Sequence, residues 1–139
     1  MLDHYTYPMA KIESKQITVP ADSTAISAYL ADMNNFHNLL PQDKISDWKA
    51  DEKNCSFKVQ GGYTIQLEHA GQTGNIIHMK SGAASPFPFT LDVHLKPGEG
   101  ATDAHQVIDA DVNPFMKMMI EKPLKNLFDY IADKLVAQF

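Results

Sequence analysis

The sequence predicts an α+β arrangement, with a curved antiparallel sheet of about seven strands closed around one long C-terminal helix. Three observations carry this. Residues 113–139 hold a single one-sided helical pattern; residues 45–112 hold a succession of short segments whose apolar residues alternate; and two short helical stretches follow the first strand.

Residues 1–8 read as an arm, and residues 9–139 as one domain. A first strand is expected over residues 9–19, with Ile17 and Val19 on its apolar side and Pro20 ending it. Asp22 is placed to cap a helix bearing Ile26, Tyr29, Leu30 and Met33 on one face. Asn34-Asn35 interrupts that helix, and residues 36–40 form a further short turn before Pro41.

Residues 45–50 read as a weak strand, and then Cys55, Phe57 and Val59 alternate with polar neighbours. Gly61-Gly62 signals a two-residue hairpin. Tyr63, Ile65, Leu67 and His69 give the cleanest period-two segment of the chain. Residues 71–74 turn the chain into a strand with Ile77 and Met79 on one side. Phe87, Phe89, Leu91, Val93 and Leu95 form the next apolar row, and Ile108, Ala110 and Val112 the last. One apolar face per strand implies a sheet wet on one side and covered on the other.

The cover is the final helix. Asn113-Pro114 joins a capping side chain to a proline whose missing N–H costs nothing at a helix start. Met116, Ile120, Leu124, Leu127, Phe128, Ile131 and Leu135 then recur at three- and four-residue steps. Pro123 lies inside this pattern and predicts a kink near Met119, whose carbonyl loses its partner.

At 139 residues, with 17 acidic and 12 basic residues and a net charge of −5, the chain lacks the basic footprint of a nucleic-acid binder. No apolar run approaches membrane-spanning length, so no stable membrane insertion is expected. The single cysteine, Cys55, excludes an intrachain disulfide, and no signal peptide is visible, so a soluble cytoplasmic protein is expected. The six histidines lack the paired close spacing of zinc motifs, and no phosphate-loop or dinucleotide fingerprint occurs. Neither a metal nor a cofactor is expected.

In its element order, the chain resembles the helix-grip fold of the START-like superfamily, also called SRPBCC, including its polyketide cyclase-like and small bacterial members. The resemblance spans residues 9–139. It is carried by Ile17-Thr18-Val19-Pro20-Ala21-Asp22, by Phe36-His37-Asn38-Leu39-Leu40-Pro41, and by the stretch from Asp109 through Asn113-Pro114 to Met119. It implies a small hydrophobic ligand (a lipid, isoprenoid or polyketide-like compound) held between sheet and helix without chemistry. No catalytic residue transfers, because no catalytic motif of the cyclases is matched.

The residues expected to line such a site are Phe57, Tyr63, Ile65, Leu67, Phe87, Phe89, Leu91 and Ile108 on the sheet, facing Met116, Met119, Ile120, Leu124 and Leu127 on the helix. Phe36 and Leu40, together with Met116, Met119 and Ile120, are expected at its entrance. Tyr63, His69 and Gln106 would be its polar handles. Apolar stripes of this kind equally describe a filled core. Two alternatives stand beside the carrier. One is a cyclase- or aromatase-like enzyme using His69 or Tyr63; the other is an interaction module whose Phe115 and Met118 meet a partner or a second copy. A monomer or weak homodimer is expected.

Overall fold

A computed structural model describes residues 10–60 and 63–139. The arm at residues 1–8 and the Gly61-Gly62 hairpin expected from the sequence fall outside the described residues. The chain runs Ala10–Glu13 (β1), Ile17–Val19 (β2), Ser23–Ala31 (α1), a 3₁₀ segment Met33–Leu39, then Ile45–Ala50 (β3), Asn54–Val59 (β4), Thr64–Thr73 (β5), Ile76–Ser81 (β6), Phe89–Pro97 (β7), Thr102–Ala110 (β8) and Pro114–Ala137 (α2). The sheet order is β1-β8-β7-β6-β5-β4-β3, antiparallel throughout, and β2 also pairs with β8. Eight strands therefore occupy seven positions.

The extra strand arises because the expected first strand breaks at Ser14. The Ser14 N–H donates to the Gln106 carbonyl at 2.9 Å, and the Gln106 N–H donates to Ser14 Oγ at 2.8 Å. A side chain thus replaces one rung of the ladder. The next N–H, that of Lys15, donates to Asp129 Oδ1 of α2 at 2.7 Å.

Two bulges account for the other departures from simple alternation. In β3 the register slips between Ser46 and Lys49, with Asp47 at φ 54°. Aspartate tolerates this left-handed conformation better than most residues, and the slip brings Ile45, Trp48 and Ala50 to the same inner side. Trp48 then packs between His37 (ring centroids 4.7 Å apart) and Phe57 (6.4 Å). In β5 the slip falls between His69 and Gln72, with Gly71 at φ 100°. Gly71 therefore lies inside the strand, which continues to Thr73, and the turn that the sequence placed at residues 71–74 contracts to Gly74-Asn75.

The helices start where their caps dictate. Asp22 Oδ1 accepts the Ala25 N–H, and Asn113 Oδ1 accepts the Met116 N–H, both at 2.8 Å. The first helix gives way to the 3₁₀ segment at Asp32, ahead of Asn34-Asn35, because Asp32 Oδ1 captures the Asn34 N–H at 3.0 Å. Helix α2 carries through Pro123 and buries Ile120, Leu124, Phe128, Ile131, Ala132 and Leu135.

Polar contacts fix α2 to the β1–β2–β8 side of the sheet. The buried Gln106 Nε2 donates to the Phe128 carbonyl at 2.9 Å. Lys15 Nζ pairs with Asp133 at 2.7 Å, and Lys125 Nζ, paired within the helix to Asp129 at 3.1 Å, also donates to the Glu13 carbonyl of β1 at 3.4 Å. Burial pulls the Asp129 pKa upward, but the Lys15 N–H, the Lys125 hydrogen bond and both lysine charges outweigh it and hold the group below the usual carboxylate range. A carboxyl depressed on folding contributes stability above its unfolded value, near 4, and loses it as pH falls through the folded value. Asp129→Asn should therefore cost about 1 kcal/mol in urea unfolding at neutral pH, and the difference from wild type should shrink below about pH 4. An undiminished difference at pH 3 would show that the carboxylate's charge is not what fastens the helix.

Candidate functional site

The centre of the concave face is filled. Phe57, Leu67, Leu91 and Ile108 are at most 1% exposed. A crevice of about 10 Å³ lies there between Ile65, Phe87, Phe89 and Ile108 and the helix residues Leu124 and Phe128. That holds one water at most.

Space opens at the other end of the sheet. A cavity of about 460 Å³ lies where β3, β4 and β5 diverge from α2. Ile45, Val59, Tyr63 and Ile65 form its sheet wall, and Pro123, Leu124, Leu127 and Tyr130 its helix wall. Asn126 and the loop residues Pro41, Asp43 and Lys44 make the rim. Local structure explains each wall. The β3 bulge turns Ile45 inward on the same side as Trp48, β5 presents Tyr63 and Ile65 by strict alternation, and the 3- and 4-residue spacing of 123, 124, 127 and 130 puts them on one helix stripe. The rim is tied down, since the Lys44 N–H donates to the Pro41 carbonyl at 2.9 Å and the Gln60 N–H to the Lys44 carbonyl at 2.8 Å.

Of the residues expected to line a site, Tyr63, Ile65, Leu124 and Leu127 meet at this cavity. Phe87, Phe89 and Ile108 line only the small crevice. Phe36, Leu40, Phe57, Leu67, Leu91 and Ile120 are buried core residues, Leu40 also reaching a neighbouring hollow. Met116 and Met119 do not reach the cavity; they are exposed on the first turns of α2 with Phe115 (73%) and Met118 (80%). The opening is set instead by residues 41–44 and by the helix from Pro123 onward, one to two turns past the methionines. Ile45, Val59 and Tyr130 were not expected as lining residues. Val59 was legible as an apolar position, whereas Ile45 depended on a bulge and Tyr130 on where the helix leaves the sheet.

The polar handles separate likewise. Gln106 is committed to the Phe128 carbonyl. His69 lies at the β5 bulge, outside the cavity, its Nδ1 accepting the Gly71 N–H at 3.2 Å. Burial, with the nearby Lys53 charge, lowers its pKa and so favours the neutral imidazole. On the outer face His78 bonds Asp92 at 2.7 Å, and His94 stacks on His105 at 4.9 Å. Among the described residues no cluster of His, Cys, Asp or Glu is arranged to hold a metal, and no helix is long and apolar enough to cross a membrane.

No family model matches the chain, and no curated protein does. Solved structures do. A START superfamily protein from Mycobacterium smegmatis is 12% identical with a TM-score of 0.65, covering 92% of this chain and 95% of that one. The protein XoxI from Bacillus cereus is 13% identical, with a TM-score of 0.71 and coverages of 94% and 96%. A norcoclaurine synthase point mutant from Thalictrum flavum, solved with a transition-state analogue, is 11% identical, with a TM-score of 0.66 and coverages of 92% and 94%. At such identities the likeness is one of fold. The chain has the START-like helix-grip fold, with an α+β sheet gripping a long C-terminal helix.

Cys55 lies under the β4–β5 pair, and burial pushes its thiol up to about 12. Iodoacetamide at pH 8 should leave it unmodified in the folded protein and alkylate it within minutes in urea; rapid labelling of the native protein would show that this part of the sheet opens readily.

Proposed function

We propose that the chain binds a small hydrophobic ligand in the cavity between β3–β5 and α2, without chemistry. The observation that carries this is the contrast between a filled centre and an open, apolar end. A volume of about 460 Å³ falls in the roughly 300–1,000 Å³ range of small-molecule sites. A ligand burying about 200 Å² of apolar surface there would gain about 5 kcal/mol before the losses of association. The START-like fold is compatible with such a role, and it also houses a synthase among its structural neighbours. Against an enzymatic reading here, none of the groups with displaced titration (Asp51, Cys55, His69 and Asp129) lines the cavity.

One observation favours a second reading, self-association. The first turns of α2 expose a run of apolar side chains, Phe115, Met118 and Met119.

The neutral dye N-phenylnaphthylamine should brighten on adding the protein, and Leu127→Trp, which fills the cavity from its helix wall, should weaken that binding at least tenfold with Tm within a few degrees of wild type. A dye that stays dim with wild type, or binds the variant equally well, would remove the cavity reading. Sedimentation velocity separates the second reading. Met118→Lys leaves the mass unchanged if the chain acts as a ligand binder alone, and converts dimer to monomer if the helix tip is a contact between copies.

A further inference from the structure

A second hollow, of about 320 Å³, adjoins the apolar cavity. Tyr130 lines both. Residues of the connecting loop divide between them: Pro41, Asp43 and Lys44 border the apolar cavity, while Leu40 and Gln42 border the hollow. We infer that the ligand is amphipathic, with its apolar body in the cavity and a carboxylate head passing the edge of Tyr130 to lie between Lys134 and His37. This rests on the binding reading above and specifies the class of molecule bound.

The lining of the hollow is polar and one-signed. It offers the ammonium of Lys134 and the imidazole of His37, with Asn38, Gln42 and Gln138, and no carboxylate. The amides are already engaged. Gln42 Nε2 donates to the His37 carbonyl at 2.7 Å, Asn38 Nδ2 to the Tyr29 hydroxyl at 3.1 Å, and Gln138 Nε2 to the Lys134 carbonyl at 3.1 Å. Tyr29 in turn donates to Gln138 Oε1 at 3.2 Å, so the floor is a closed network. His37 is held by its tilted contact with the Trp48 ring, centroids 4.7 Å apart. Lys134 is placed differently. Its Nζ sits 5.7 Å from the centroid of the Tyr130 ring, over the partition between the two spaces, and among the described residues no carboxylate pairs with it. An anion crossing that partition meets a cation at once. The rim of the apolar cavity gives no such bias, because there Asp43 stands beside Lys44.

The test is displacement of N-phenylnaphthylamine by decanoic acid and by decanol at neutral pH, each kept below the concentration at which it self-associates. The wild type should release dye at roughly tenfold lower concentration of the acid than of the alcohol, the selectivity expected of a charge-assisted contact. Lys134→Met should bring the acid/alcohol ratio close to one, while Lys44→Met should leave it in place. If dye fails to bind wild type, the cavity reading falls and this inference with it. If dye binds but acid and alcohol displace it equally, or the preference survives Lys134→Met, or Lys44→Met abolishes it, the head site is overturned and the cavity stands.

Discussion

The placement of α2 against one side of the sheet governs everything else in the fold. Its apolar ridge would pack against any part of a concave apolar surface, since burial has no direction. What selects the β1–β2–β8 side is polar and directional. Gln106 holds the Phe128 carbonyl from inside, and Lys15 holds Asp129 from outside, one on each side of the same helical turn. An amide buried without a partner would cost about 1–3 kcal/mol, so sliding the helix across the sheet is penalised beyond the contacts it would lose. With the helix pinned there, β3–β5 are left with side chains that α2 only partly covers. The cavity is the remainder of that geometry.

The break at Ser14 belongs to the same device. Ser14 offers its hydroxyl in place of its own carbonyl to the Gln106 N–H, which ends the ladder with β8 there. The next donor, the Lys15 N–H, lies on the side of this edge strand away from β8 and goes to Asp129. The cost to the sheet is small because β1 and β2 lie at its edge, where no further strand depends on their register.

Periodicity was legible because burial is. The inner rows of β4, β5, β7 and β8 and the buried ridge of α2 could be read from alternation and from three- and four-residue spacing, and both helix N-caps, Asp22 and Asn113, from residue type alone. The break at Ser14 and the slips at Asp47 and Gly71 could not, because each depends on what the neighbouring strand offers across the ladder. The slip at Asp47 is the one that shapes the cavity. Reading β3 without its slip leaves Ile45 and Trp48 on opposite faces, which hides one wall. Expecting the opening at Met116 and Met119 followed from their apolar character, yet the turns that hold them have no sheet opposite, and the first α2 residue buried is Ile120. A pattern states that a residue is apolar; only topology says what stands across from it.

Pro123 sits at the boundary between these two halves of α2. A proline inside a helix loses one hydrogen bond and crowds the preceding turn, at about 3 kcal/mol in a regular helix. Here the carbonyl it orphans is that of Met119, on an exposed turn, so water can take the missing donor's place. The penalty would be larger one turn later, where the carbonyls lie over buried Leu124 and Phe128. The ring itself lies on the cavity wall, adding rigid apolar surface with no side-chain entropy to lose when a ligand packs against it. The position is therefore tolerable for the helix and suited to the site, and it separates a solvent-facing tip from the length of helix that the sheet grips.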